Sequence, residues 1–101
     1  LEPNEDPANC ADRELQEETG YRAAKIEPLG SFYVAPGYTT ERIFLFLATD
    51  LTESRLPMDD DEFIEVERVP LAEAVRLVTS GSIDDGKTIN GILRAARLRG
   101  L

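Results

Sequence analysis

Gly20 is where the chain changes periodicity, and that change limits the possible folds more than any other feature. Before it, the stretch from Pro7 through "ANCADRELQEET" contains no internal breaker. Pro7 suits the first turn of a helix, Asp6 or Asn4 offers a capping side chain, and Gly20 is a natural stop. After it, "AAKIEPLGSFYVAP" and "TERIFLFLATDL" are rich in β-branched and aromatic residues and are separated by "PGYTT". They read as two strands that pair antiparallel.

An acidic loop, "TESRLPMDDD", leads to a predicted third strand, "EFIEVERV", in which Phe63, Ile64, Val66 and Val69 only partly alternate. "PLAEAVRLVTSG" opens with Pro70, ends with Gly81, and spaces Leu71, Ala74, Val75 and Val78 for one helix face. "KTINGILRAARLRG" reads as a final helix by the same test. One helix, three strands and two helices predict a mixed α and β domain, with residues 1–101 forming a single unit.

The charge balance narrows the partners. Eleven basic and twenty acidic residues leave a net charge of -9, which repels nucleic acid polymers and anionic membranes. No apolar run approaches the ~20 residues of a membrane span. The opening "LEPNEDPANC" lacks the basic and apolar regions of a signal peptide, so the expected location is cytoplasmic. Cys10, the single cysteine, reads as a small buried apolar group. With no histidine in the chain, the usual general base and transition-metal ligand are both missing, so any chemistry rests on carboxylates and lysine.

"GSIDDGKT", Gly81 to Thr88, fits the letters of a phosphate-binding P-loop. Its surroundings do not, because such a loop follows a buried strand and this one follows a predicted helix. Asp84 and Asp85 would also face the phosphate. At ~6 Å each unit-charge repulsion costs roughly 1 to 3 kcal/mol, which Lys87 alone does not offset. The segment is expected to join two helices, with an aspartate capping the second.

"RELQEETG" is different. Glu14, Glu17 and Glu18, three and four positions apart, line one face of the first helix. Like charges so placed cost ~0.2 to 0.5 kcal/mol per pair, a cost that a cation between them would offset. Hard oxygen donors without histidine or a thiolate cluster select Mg²⁺ or Mn²⁺. A glutamate-rich helix is also what a solvated face looks like, and the spacing alone does not separate the two.

The wider stretch does. Glu5, seven residues "DPANCAD", then Arg13, Glu14, Leu15, Gln16, Glu17, Glu18, Thr19, Gly20 and Tyr21 closely resemble the Nudix hydrolase signature, G-x5-E-x7-R-E-U-x-E-E-x-G-U with U a bulky apolar residue. The first signature glycine would fall one position before Leu1. In the family the preceding segment supplies sheet strands, a backbone carbonyl to the metal site and part of the nucleoside pocket. A C-terminal part of the domain, or a fold completed by another chain, is therefore expected. Pro36, sixteen residues after Gly20, with "DDDEFIEVERVPLAEA" and "SGSIDDGKTINGILRA", resembles the ADP-ribose pyrophosphatase branch.

The resemblance implies an α/β/α sandwich of the Nudix type, with a mixed sheet and the signature helix. It implies metal-dependent hydrolysis of a nucleoside diphosphate linked to another moiety, most directly ADP-ribose to AMP and ribose 5-phosphate. Other ADP- or GDP-sugars, or a non-catalytic metal- or nucleotide-binding module or inactive fragment, are the alternatives. Glu14, Glu17 and Glu18 would hold Mg²⁺ or Mn²⁺, with Glu18 in a catalytic role. Arg13 would orient the carboxylates by ion pairing, and Glu5 and Gly20 would be structural. Glu62, then Asp60, would act as base or complete the metal shell. Glu41 and Pro36 would lie at the substrate, and a homodimer is a further expectation from relatives.

Overall fold

The computed structural model describes residues 5–54 and 66–101. In chain order the elements are α1 (Pro7–Thr19), β1 (Tyr21–Tyr33), β2 (Arg42–Glu53), α2 (Leu71–Ser80) and α3 (Gly86–Leu98). The predicted third strand starts in residues outside the description, and its remainder, Val66 to Val69, has no regular structure.

Helix α1 begins and ends as its sequence dictates. The Asp6 carboxylate accepts from the Asn9 N–H at 3.4 Å, and Pro7 occupies the first turn. Gly20 closes the helix at φ 73°, a left-handed conformation that costs glycine little, with its N–H on the Gln16 carbonyl. The next residues start β1, which pairs with β2 in a two-stranded antiparallel sheet. The turn between them closes through Val34 N–H to the Glu41 carbonyl at 3.1 Å, and through Tyr38 and Thr39 N–H to Ala35.

The chain divides into two compact units, Leu1–Pro28 with Phe46–Glu67, and Leu29–Leu45 with Arg68–Leu101. In the first unit, Ser54 ties the end of β2 to the end of α1, its N–H donating to the Gly20 carbonyl at 2.7 Å. Cys10 is the buried residue of α1.

In the second unit α2 packs on α3, with Ala74 and Ala96 buried. These small side chains let the two helices approach, while Leu71, Val75 and Val78 of α2 are half-buried. Gly81 ends α2 in the left-handed conformation, and Asp85 caps α3 through Thr88 N–H at 3.1 Å and Thr88 Oγ1 at 2.6 Å. The P-loop-like letters therefore form a connection between two helices. The hydrogen bonds from Thr88 hold the Asp85 carboxyl below its ordinary range.

Arg94 crosses from α3 to β1, donating from Nη1 to the Leu29 carbonyl at 3.0 Å. Gly30, at φ 122°, leaves room for that guanidinium, and a Cβ there would collide with it. On the hairpin, Arg42 lies over the Tyr33 and Phe44 rings at 5.5 and 5.2 Å and donates to Ser31 Oγ.

Candidate active-site helix

The first unit holds Arg13, Glu14, Glu17 and Glu18 on α1, with Glu5 two residues before the helix and Gly20 just after it. Arg13 projects between two glutamates. It donates from Nη2 and Nε to Glu5 at 2.9 and 3.2 Å, a two-pronged pair, and from Nη1 to Glu17 at 3.2 and 3.4 Å. The Arg13–Glu17 contact is the local one expected four residues apart on a helix. The Glu5 contact reaches back past the N-cap, so a single guanidinium fixes both the start of the helix and its third turn. These hydrogen bonds, Glu5 first, raise the affinity of Arg13 for its proton.

Glu14 is exposed and lies one turn beyond the buried Cys10. The thiol donates to Glu14 Oε1 at 3.5 Å, and Cys10 Sγ itself receives Arg13 Nη2 at 3.8 Å. Burial pushes the Cys10 thiol up from its ordinary value, and the bond to Glu14 pushes in the same direction. The sequence placed Cys10 in the interior, as found. Its contact with Glu14 went unread, although the four-residue spacing was the available signal.

Glu17 and Glu18 are half-buried on the same helix. Gly20 ends it and lets the chain turn into β1. Pro36 and Glu41 belong to the second unit, both exposed, Pro36 in the hairpin turn and Glu41 at its close. Glu41 borders a groove of about 340 Å³ with Phe32, Val34, Ile43 and Lys87. Asp60 and Glu62 lie outside the described residues.

Among the described residues no three histidine, cysteine or acidic side chains stand together as a ready metal cage. Glu17 faces Arg13, and Glu14 accepts from Cys10. In kind, however, the donors suit a hard divalent cation: carboxylates on successive turns of one helix and no competing histidine.

A NUDIX domain profile matches residues 1–91. The chain belongs to the Nudix family. This Nudix chain is 44% identical over 94 residues to the ADP-ribose pyrophosphatase of Bacillus subtilis, covering 91% of itself and 51% of that protein. It is 39% identical over 101 residues to a GDP-mannose pyrophosphatase of Yersinia enterocolitica, covering 97% of itself and 52% of the relative. Its fold matches a solved structure titled "Crystal structure of ADP compounds hydrolase" with a TM-score of 0.86 at 27% identity, covering 99% of this chain and 55% of that one. The Nudix-type mixed α and β fold expected from sequence is thereby shown. The chain spans about half the length of the relatives it matches. Among the described residues no helix is long and apolar enough to cross a membrane.

Proposed function

We propose that this chain carries the metal-binding helix of a pyrophosphohydrolase that cleaves a nucleoside diphosphate joined to a second moiety, with ADP-ribose as substrate. Water adds to one phosphorus of the diphosphate and the bridging P–O bond breaks, giving AMP and ribose 5-phosphate. The observation that carries the reading is the Glu5–Arg13–Glu17 network. Signature residues eight and four positions apart meet in one set of ion pairs, so the motif is organised in space as well as in sequence.

Glu14, Glu17 and Glu18 would hold Mg²⁺ or Mn²⁺. When bound, the cation supplies positive charge to offset the diphosphate and acidifies a water for attack. The chain's own part is orientation. Arg13 anchors Glu17 to the start of the helix, Gly20 ends α1 at Thr19, and Glu41 and Pro36 serve the substrate from the hairpin turn. Of the loop acids, Glu62 and then Asp60 are assigned the base or a further ligand position. Residues 1–101 belong to one Nudix domain that acts in the cytoplasm as a homodimer, takes a nucleotide-sugar, and binds neither nucleic acid polymers nor membranes.

The similarity to a GDP-mannose pyrophosphatase favours a second reading in which the same helix serves a GDP-sugar. The test is product analysis with the full-length protein, Mg²⁺, and ADP-ribose or GDP-mannose supplied separately and then in competition. Release of AMP at the higher kcat/KM supports the first reading, and preferential release of GMP supports the second. Cleavage of neither would favour a binding module or another nucleotide-sugar substrate.

A further inference from the structure

We propose that Cys10 is a positioning residue for Glu14, linking that carboxylate to the Arg13 ion-pair network. The inference rests on the reading of Glu14 as a metal ligand, and it adds a residue outside the fixed letters of the signature.

The geometry is direct. Among the described residues the Glu14 carboxylate has one hydrogen-bond partner, the Cys10 thiol, at 3.5 Å from Oε1. Cys10 is 6% exposed, so its side chain is held by its surroundings, whereas Glu14, one turn further along the same face, is exposed. A long carboxylate left alone on a helix surface samples several rotamers, and each must be given up when it is fixed on a cation. A buried donor four residues earlier limits that sampling. The sulfur is itself fixed from the other side by Arg13 Nη2 at 3.8 Å, and Arg13 is fixed by Glu5 and Glu17. Glu14 is thus the free end of a chain of contacts that begins before the N-cap.

A thiol is a weak donor, so the contribution is geometric more than energetic. Second partners of metal-binding carboxylates typically change metal affinity 10- to 100-fold, and a single weak donor belongs at the low end. Alanine at position 10 would keep the small buried volume and the helix but remove the donor. Serine would keep a donor in nearly the same place.

The experiment is Mn²⁺ titration of the full-length protein, followed by electron paramagnetic resonance of the free ion, for wild type, Cys10→Ala, Cys10→Ser, Glu14→Gln and the Cys10→Ala/Glu14→Gln pair. Circular dichroism confirms that each variant is folded. The expected result is about tenfold weaker binding in Cys10→Ala, recovery of most of the loss in Cys10→Ser, and no additional weakening when Cys10→Ala is added to Glu14→Gln. A merely structural role for Cys10 would weaken binding equally in both backgrounds, and that result overturns the proposal. Unchanged affinity in Cys10→Ala overturns it as well, while a weakened Glu14→Gln leaves the metal reading standing. If Glu14→Gln binds Mn²⁺ as tightly as wild type, Glu14 is not a ligand, and both the metal assignment and the positioning role fail together.

Discussion

Arg13 on α1 and Arg76 on α2 each pair with a glutamate within one helical turn, yet they do different things. Arg76 meets Glu73 three residues away, its side chain 69% exposed, and ties the helix only to itself. Arg13 is 36% exposed, meets Glu17 four residues away, and also reaches Glu5, which precedes the helix and is 18% exposed. An exposed pair inside one turn contributes little, because screening and side-chain entropy consume the Coulomb gain. A guanidinium shared by two carboxylates on separate segments has already given up its freedom for the first when it binds the second. The comparison teaches that the same two residue types make an exposed pair in one helix and a three-member ion-pair network in the other, and that the third partner makes the difference.

The largest expected effect is on turnover. Replacing Glu18 with Gln on the organised helix should lower kcat roughly 10²- to 10³-fold, the scale of several kcal/mol of lost charge stabilisation. Glu73→Gln in the exposed pair on α2 should leave kcat unchanged. Steady-state kinetics on the two variants checks the contrast, and equal losses would dissolve it.

Next in size is a change that gives the second unit's best-placed arginine a conflict. Gly30→Ala puts a Cβ against the Arg94 guanidinium at a φ of 122°. A non-glycine residue forced into such backbone costs roughly 1 to 3 kcal/mol. Urea unfolding should show that loss, and adding Arg94→Ala should recover the part due to the collision while the backbone strain stays.

Smaller again, Arg13→Ala should lower the urea midpoint clearly more than Arg76→Ala, whose effect stays within about 0.5 kcal/mol. Arg13→Lys should behave more like alanine than like arginine, since an ammonium cannot reproduce the two-pronged contact with Glu5. Equal midpoints for the Arg13 and Arg76 variants would show that the third partner adds nothing.

The smallest effects are in pH dependence, and they carry opposite signs in the two units. Asp85 has a depressed pKa in the folded chain, so its contribution is complete above the ordinary aspartate value and fades as pH falls below about 4. Asp85→Asn should flatten that acid limb. The Cys10 thiol is raised, so its contribution is complete below the ordinary 9.0 and fades as pH rises beyond it. Cys10→Ala should flatten the alkaline limb. Thermal unfolding across pH resolves both.

Much of this was legible from sequence, for physical reasons that can be named. Pro7, Asp6 and Gly20 fix the ends of α1 because each satisfies a backbone requirement locally. An aspartate cap on the last helix was legible in the same way, and the structure gives that place to Asp85. The spacing of Glu5, Arg13 and Glu17 announced the family. Contacts that depend on tertiary approach were not legible. Nothing in "PLGSF" states that Arg94 lies across Gly30. The Cys10–Glu14 contact is local, and its four-residue spacing is the one signal of it in the sequence. The predicted third strand lies partly outside the described residues, and Val66 to Val69 carry no regular structure.

The central claim is that α1 supplies carboxylates for a divalent cation in diphosphate cleavage. The most direct measurement is AMP release from ADP-ribose by the full-length protein, treated with chelator and then titrated with Mg²⁺. The account predicts no release after chelation and full recovery with Mg²⁺. Release that persists in chelator, or none with Mg²⁺ restored, would contradict it.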